Sequence, residues 1–133
     1  MSICANPRRC LEKANDLLKP GKKLLIRIPV AGGKAWEDYG PHWAQLDPPR
    51  HIFIHSVLSI KLLAEQTGFE LSKIIYDSDA YQFWASEAIK QEIPSTQAQG
   101  MFTDKQMEAF NKKAQLLNQK GEGDQACFYL TKQ

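Results

Sequence analysis

The chain is short of the features that would place it in a membrane, a disulfide scaffold or a nucleic-acid complex. No apolar run approaches the roughly 20 residues that span a bilayer. The segment from Met1 to Cys10 shows no charged-then-apolar leader of the kind that directs export. Cysteine is sparse: Cys4, Cys10 and Cys127 are an odd, unevenly spaced set, suited to reduced thiols rather than a disulfide framework. Charge of one sign is also lacking, because 17 Lys and Arg against 15 Asp and Glu leave a formal net charge of +2. Without a basic excess there is no electrostatic grip on nucleic acid or acidic membranes. The pairs Lys22-Lys23 and Lys112-Lys113 read as solvated ends of elements. There is no internal repeat, and the longest biased tract is the Gln/Ala-rich piece around 96–99.

What is present is an ordinary globular composition, 43% hydrophobic and 24% charged over 133 residues. That length supports one core and not two, so residues 1–133 are expected to form a single cytoplasmic domain.

Local signals set out the elements. Asn6 can cap a helix that Pro7 opens without losing a needed hydrogen bond. Leu11, Ala14, Leu17 and Leu18 follow at helical spacing until Lys19-Pro20-Gly21 stops the helix. The run 23–30 predicts a strand, and Leu24, Leu25, Ile26 and Ile28 are continuous enough for a strand covered on both faces. Pro29 cannot donate to a ladder, so regular pairing is expected to fail near it. Residues 31–51 lack clear periodicity and read as a long loop, of the kind that is usually functional. Ser56 can cap a helix that turns Ile60, Leu63, Ala64 and Thr67 inward and ends at Gly68.

A second strand is expected over 69–76, then a short helix through about 91 begun by Asp79, and a loop over 93–100. Thr103 and Gln106 have capping-box spacing ahead of Met107, Phe110, Ala114 and Leu117. Residues 124–132 alternate cleanly, with Ala126, Phe128 and Leu130 on one side of a last strand. Strands alternating with helices imply an α/β layer structure.

Three blocks in this order resemble class I S-adenosylmethionine-dependent methyltransferases. Leu17-Leu18-Lys19-Pro20-Gly21 followed by Leu24-Leu25-Ile26-Arg27-Ile28-Pro29 is similar to the family's helix before the fifth strand and to that strand. Leu46-Asp47-Pro48-Pro49-Arg50-His51-Ile52-Phe53 is similar to a loop of one subgroup. Ser56 through Leu63-Ala64-Glu65-Gln66-Thr67-Gly68-Phe69-Glu70 is similar to the family's helix-to-strand join, and Asp124 to Lys132 to its terminal strand. Lys22 stands where the family often has a second glycine.

The resemblance implies the C-terminal half of a Rossmann-like α/β fold: three strands, the last inserted antiparallel between the other two, with flanking helices and a variable helical insertion over 79–120. It implies S-adenosylmethionine as methyl donor and a small molecule as acceptor. In that family a glycine-rich loop after the first strand cradles the cofactor, and an acidic residue ending the second strand holds its ribose. Neither appears here. Gly32-Gly33 follows the wrong strand and reads as a flexible turn. The missing strands are expected upstream of Met1, no cofactor-binding residue is assigned, and the chain alone is expected to be inactive.

Candidate chemistry gathers in the loop, which the resemblance puts at the ligand-binding edge of the sheet. Methyl transfer needs alignment and, for some acceptors, removal of a proton. His51 and Asp47 suit proton removal, whereas His42, Trp43, Arg50, Tyr81 and Trp84 suit contact with the acceptor, alongside Trp36, Tyr39 and Phe83. The same residues also suit a rigid turn, with Arg50 paired to Asp47, and an ordinary aromatic core. His42, His51 and His55 do not have the spacing of a zinc site, and no base stands beside the cysteines. A non-catalytic α/β remnant serving as an interaction module is the alternative. The first strand has one neighbour too few on either reading, so homo-oligomerisation through that strand and the first helix is expected.

Overall fold

The computed structural model describes residues 6–46 and 54–133, and these residues fall into two compact units. The first unit holds the described residues of Met1–Ala31, Pro48–Ile75 and Gln125–Gln133. Helix α1 (Pro7–Leu17) starts as its sequence dictates: the Asn6 side chain accepts the Arg9 N–H at 3.1 Å and Pro7 takes the first turn. Leu11 is fully buried, but Leu17 is 87% exposed. At about 100° per residue Leu17 lies roughly 120° round the helix from Leu11, off the buried stripe that Leu18 rejoins. The last carbonyls of α1 are satisfied by an ammonium group, because Lys132 Nζ donates to Asn15 O and, at 2.7 Å, to Leu18 O.

Strand β1 (Lys23–Pro29) pairs antiparallel with β3 (Gln125–Lys132), from Lys23 opposite Thr131 to Pro29 opposite Gln125. The sheet order is β1-β3-β2, with β2 spanning Phe69–Tyr76, so the last strand lies between the two earlier ones as the resemblance implies. Ile26 and Ile28 face Phe128 and Ala126 across the ladder and all four are buried. The expectation of cover on both faces of β1 does not hold. Lys23, Leu25 and Arg27 are exposed, Leu25 by 56%, because alternate side chains of a strand point to opposite faces and the face these three share is packed only at Pro29.

The bond from Lys132 N to Lys22 O turns even-numbered residues of β1 toward β3. Pro29, an odd position, therefore gives up no ladder bond on that side. Pairing with β3 ends there, and Val30 makes a single parallel bridge to His55 on the opposite edge. Helix α3 (Val57–Gln66) opens with a capping box between Ser56 and Ser59, buries Ile60 and Ala64, and stops at Gly68, whose φ is +83°. Cys10 is disulfide-bonded, against the reduced state expected from cysteine spacing, and Cys127 is a free thiol.

The second unit holds the described residues of Gly32–Asp47 and Tyr76–Asp124. Two stretches expected as loops contain helix. In the first, α2 (Lys34–Tyr39) is followed by 3-10 turns at Gly40–His42 and Ala44–Leu46; in the second lies α5 (Ser95–Ala98). Both helices are too short to stand on local propensity, and both pack against α4 (Tyr81–Lys90). Helix α6 (Asp104–Lys120) has the expected capping box, with Thr103 accepting Gln106 N–H at 3.1 Å and Gln106 accepting Thr103 N–H at 2.8 Å. Phe83, Ala114 and Leu117 form its core, flanked by Tyr39 and Phe110. Among the described residues no helix is long and apolar enough to cross a membrane, and no group of His, Cys, Asp or Glu is placed to hold a metal ion.

Candidate functional site

The region with a site's character lies in the second unit, where α2 and its 3-10 turns carry aromatic side chains. The chain reaches it through Gly33, which caps α2 without a side-chain bond. A Cβ on Gly33 would lie 2.8 Å from the carbonyl oxygens of both Glu122 and Gly123, and Lys34 N donates to Glu122 O at 3.1 Å. Glycine is therefore required here by close backbone approach. At the other end Gly40 takes φ +52° and turns the chain into Pro41 and His42.

Trp36 on α2 and Trp43 after the 3-10 turn meet edge to face, ring centres 5.5 Å apart at 84°. Trp43 is 1% exposed, and its indole N–H donates to the Asp124 carboxylate at 3.0 Å. The next residue is pinned as well, because Ala44 N donates to Ser86 Oγ at 2.9 Å. Burial pushes the Asp124 carboxyl above the usual carboxylate range, with Asp79 nearby adding to the effect; the hydrogen bonds from Trp43 and Ser78 oppose it. The Tyr39 hydroxyl donates to Glu87 at 3.1 Å, and burial followed by the Glu87 charge moves its pKa upward. Trp36, Gly40, Pro41 and Leu46 line a pocket of about 330 Å³.

Each residue singled out in the sequence has a definite place or lies outside the described residues. Asp47, Arg50 and His51 lie outside them. His42 is exposed at the end of its 3-10 turn. Trp43 is brought against Trp36 and Asp124. Tyr81 and Trp84 form a separate edge-to-face pair on α4, ring centres 5.1 Å apart, with Tyr81 38% exposed. His55, in the first unit, contacts Ser59 Oγ through Nδ1 at 3.2 Å, and burial lowers its pKa from 6.5. Sequence reasoning missed Asp124 and Ser86, which hold the Trp43 segment. No local spacing signals an Asp–Trp bond across 81 positions.

A protein-family model described as a methyltransferase domain matches residues 2–74, more than half of the sequence, and the chain belongs to this family. No curated protein matches. Among solved structures it is similar to a protein assigned as a sarcosine dimethylglycine methyltransferase from Galdieria sulphuraria. The identity is 10%, the match covers 96% of this chain and 48% of that one, and the TM-score is 0.46. It is also similar to phosphoethanolamine N-methyltransferase 2 from Haemonchus contortus, solved with phosphomonomethylethanolamine and S-adenosylhomocysteine. Here the identity is 17%, the coverage 96% and 30%, and the TM-score 0.42. The chain thus spans about half the length of the first and under a third of the second.

The Gly32-Gly33 turn does not fit a methyl-donor cofactor. The space a ligand would need at Gly33 is filled by the carbonyls of Glu122 and Gly123, and the helix it caps is six residues long. What the arrangement offers instead is a pinned aromatic wall beside an apolar pocket.

Proposed function

We propose that this chain is the acceptor side of an S-adenosylmethionine-dependent methyltransferase acting on a small molecule. The observation that carries the reading is the family match over residues 2–74. The pocket beside Trp36 supports it, since small-molecule sites are concave, mainly apolar and of this order of volume. In this reading His51 or Asp47 removes the acceptor's proton, and His42, Trp43, Arg50, Tyr81 and Trp84 contribute to its recognition. The chain alone is inactive because the groups that would hold the methyl donor are not among its residues.

The edge of β1 along which no strand lies among the described residues, with Leu17 and Leu25 exposed, supports self-association through the first strand and helix. The small net charge supports neither nucleic acid nor membrane as a partner. Methyl-labelled S-adenosylmethionine and a panel of small acceptors test the reading, with the full-length gene product and with residues 1–133 alone. Transfer is expected only with the full-length product, and His51→Ala is expected to lower turnover by roughly 10²-fold with donor affinity unchanged. Label entering nucleic acid or protein and no small molecule overturns the acceptor class. Equal turnover of the variant removes His51 from its role.

A further inference from the structure

We infer that Asp124 is the positioning residue for the pocket beside Trp36, and that this pocket takes a flat, uncharged ring. The inference rests on reading that pocket as the acceptor site, and it names both the class of group the site takes and the residue that sets its shape.

The lining gives the class. Among the described residues an indole, a proline ring, a leucine and a glycine backbone face the pocket, and none of these carries a charge. An ion entering would give up hydration with no partner supplied by that lining, whereas a ring would exchange water for Trp36 and Pro41. The volume of about 330 Å³ is at the small end for ligand sites and suits a single substituted ring.

The wall gives the positioning residue. Trp36 is 40% exposed on a six-residue helix, so its ring orientation is not fixed by deep burial. Its described ring contact is the edge-to-face one with Trp43. Trp43 is itself held by the bond from its indole N–H to Asp124, and both residues are 1% exposed.

Asp124 sits at the end of a turn with almost no freedom. Asn118 bonds both Ser78 N (3.1 Å) and Ser78 O (2.8 Å). A Cβ on Gly123 would meet Ser78 Oγ and Asn118 Oδ1 at 2.5 Å, so the turn is packed solid. An apolar residue would bury Trp43 equally well. A carboxyl in so dry a place is costly unless its directional bond matters, and the bond it makes orients the indole behind the pocket wall.

The test uses residues 1–133 labelled with ¹⁵N. The sequence has three tryptophans, so three indole N–H signals report on the site, each assigned by single Trp→Phe variants. The probes are p-cresol, an uncharged ring, and benzoate, a charged one. p-Cresol is expected to shift the Trp36 signal saturably, and benzoate is not. Asp124→Asn keeps an oxygen acceptor for the Trp43 N–H and should bind p-cresol much as the parent does. Asp124→Leu keeps the bulk without the acceptor and should weaken p-cresol by about tenfold, the equivalent of one unsatisfied buried donor.

Trp43→Phe removes the donor while keeping an aromatic ring. It should weaken p-cresol similarly, and it serves if the leucine variant does not fold. Unchanged binding in a folded Asp124→Leu or Trp43→Phe variant overturns the positioning role. No Trp36 shift with p-cresol, or equal binding of benzoate, overturns the ring assignment. Intact p-cresol binding and Asp124 dependence, together with no methyl transfer by the full-length product, would sink the enzymatic reading and leave this inference standing.

Discussion

Asp124 and His55 are shifted in opposite directions by the same cause, and the two shifts give stability a definite pH profile. Burial raises Asp124 above its ordinary 3.8, so the folded state holds the proton more tightly than the unfolded chain. Its contribution is present in full below 3.8 and is lost as pH rises through the folded value. Burial lowers His55 below 6.5, so the folded state prefers the neutral ring. That contribution is complete above 6.5 and is lost as pH falls through the folded value. Urea unfolding at several pH values is expected to show both slopes in the parent and only the histidine slope in Asp124→Asn. An unchanged profile in that variant would contradict the assignment. Little of this was legible beforehand. From the sequence Asp124 reads as the start of a strand and Gly33 as a flexible turn, whereas in the structure Gly33 is a point of tight backbone contact. Both roles come from contacts distant in sequence, which no local pattern records.

Helix ends were the legible part of the chain, because caps are local chemistry. Asn6-Pro7, Ser56 and Thr103 with Gln106 all cap where their side chains predict. The helices that no local signal marks, α2 and α5, owe their existence to packing against α4 rather than to their own residues. Two helices end in the same hydrogen-bond pattern with different residues at the critical position. After α6, Glu122 N reaches Leu117 O and Gly121 N reaches Asn118 O, with Gly121 at φ +72°. After α4, Ile93 N reaches Ala88 O and Glu92 N reaches Ile89 O, with Glu92 at φ +59°.

A side chain in the left-handed region is strained where glycine is not. Glu92→Gly is therefore expected to stabilise the protein by about 0.5–1 kcal/mol, once glycine's greater unfolded-state entropy is set against the relieved strain. Thr103→Ala, which deletes a cap, is expected to cost about 1 kcal/mol. Denaturant midpoints read both, and a destabilised Glu92→Gly would contradict the strain argument.

For the whole molecule, the order of the three strands follows the resemblance, while the open face of β1 does not follow from its apolar run. Leu25 is exposed beside Lys23 and Arg27, and no strand among the described residues lies along that edge beyond the bridge at His55. Such an edge is a template for another strand. Sedimentation is expected to show self-association in the micromolar range, weakened by Leu25→Lys, which puts a charge on the strand. A parent that stays monomeric at high micromolar concentration would contradict the expectation.

If these residues supply the acceptor side of a methyltransferase and not its cofactor side, they bind S-adenosylmethionine negligibly. Calorimetric titration of S-adenosylmethionine into residues 1–133, carried to millimolar ligand, tests it most directly. Only heats of dilution are expected, since the described glycine turn is filled by backbone and offers the donor no cradle. A clear saturable heat would contradict it, and would mean that the chain holds the methyl donor by itself.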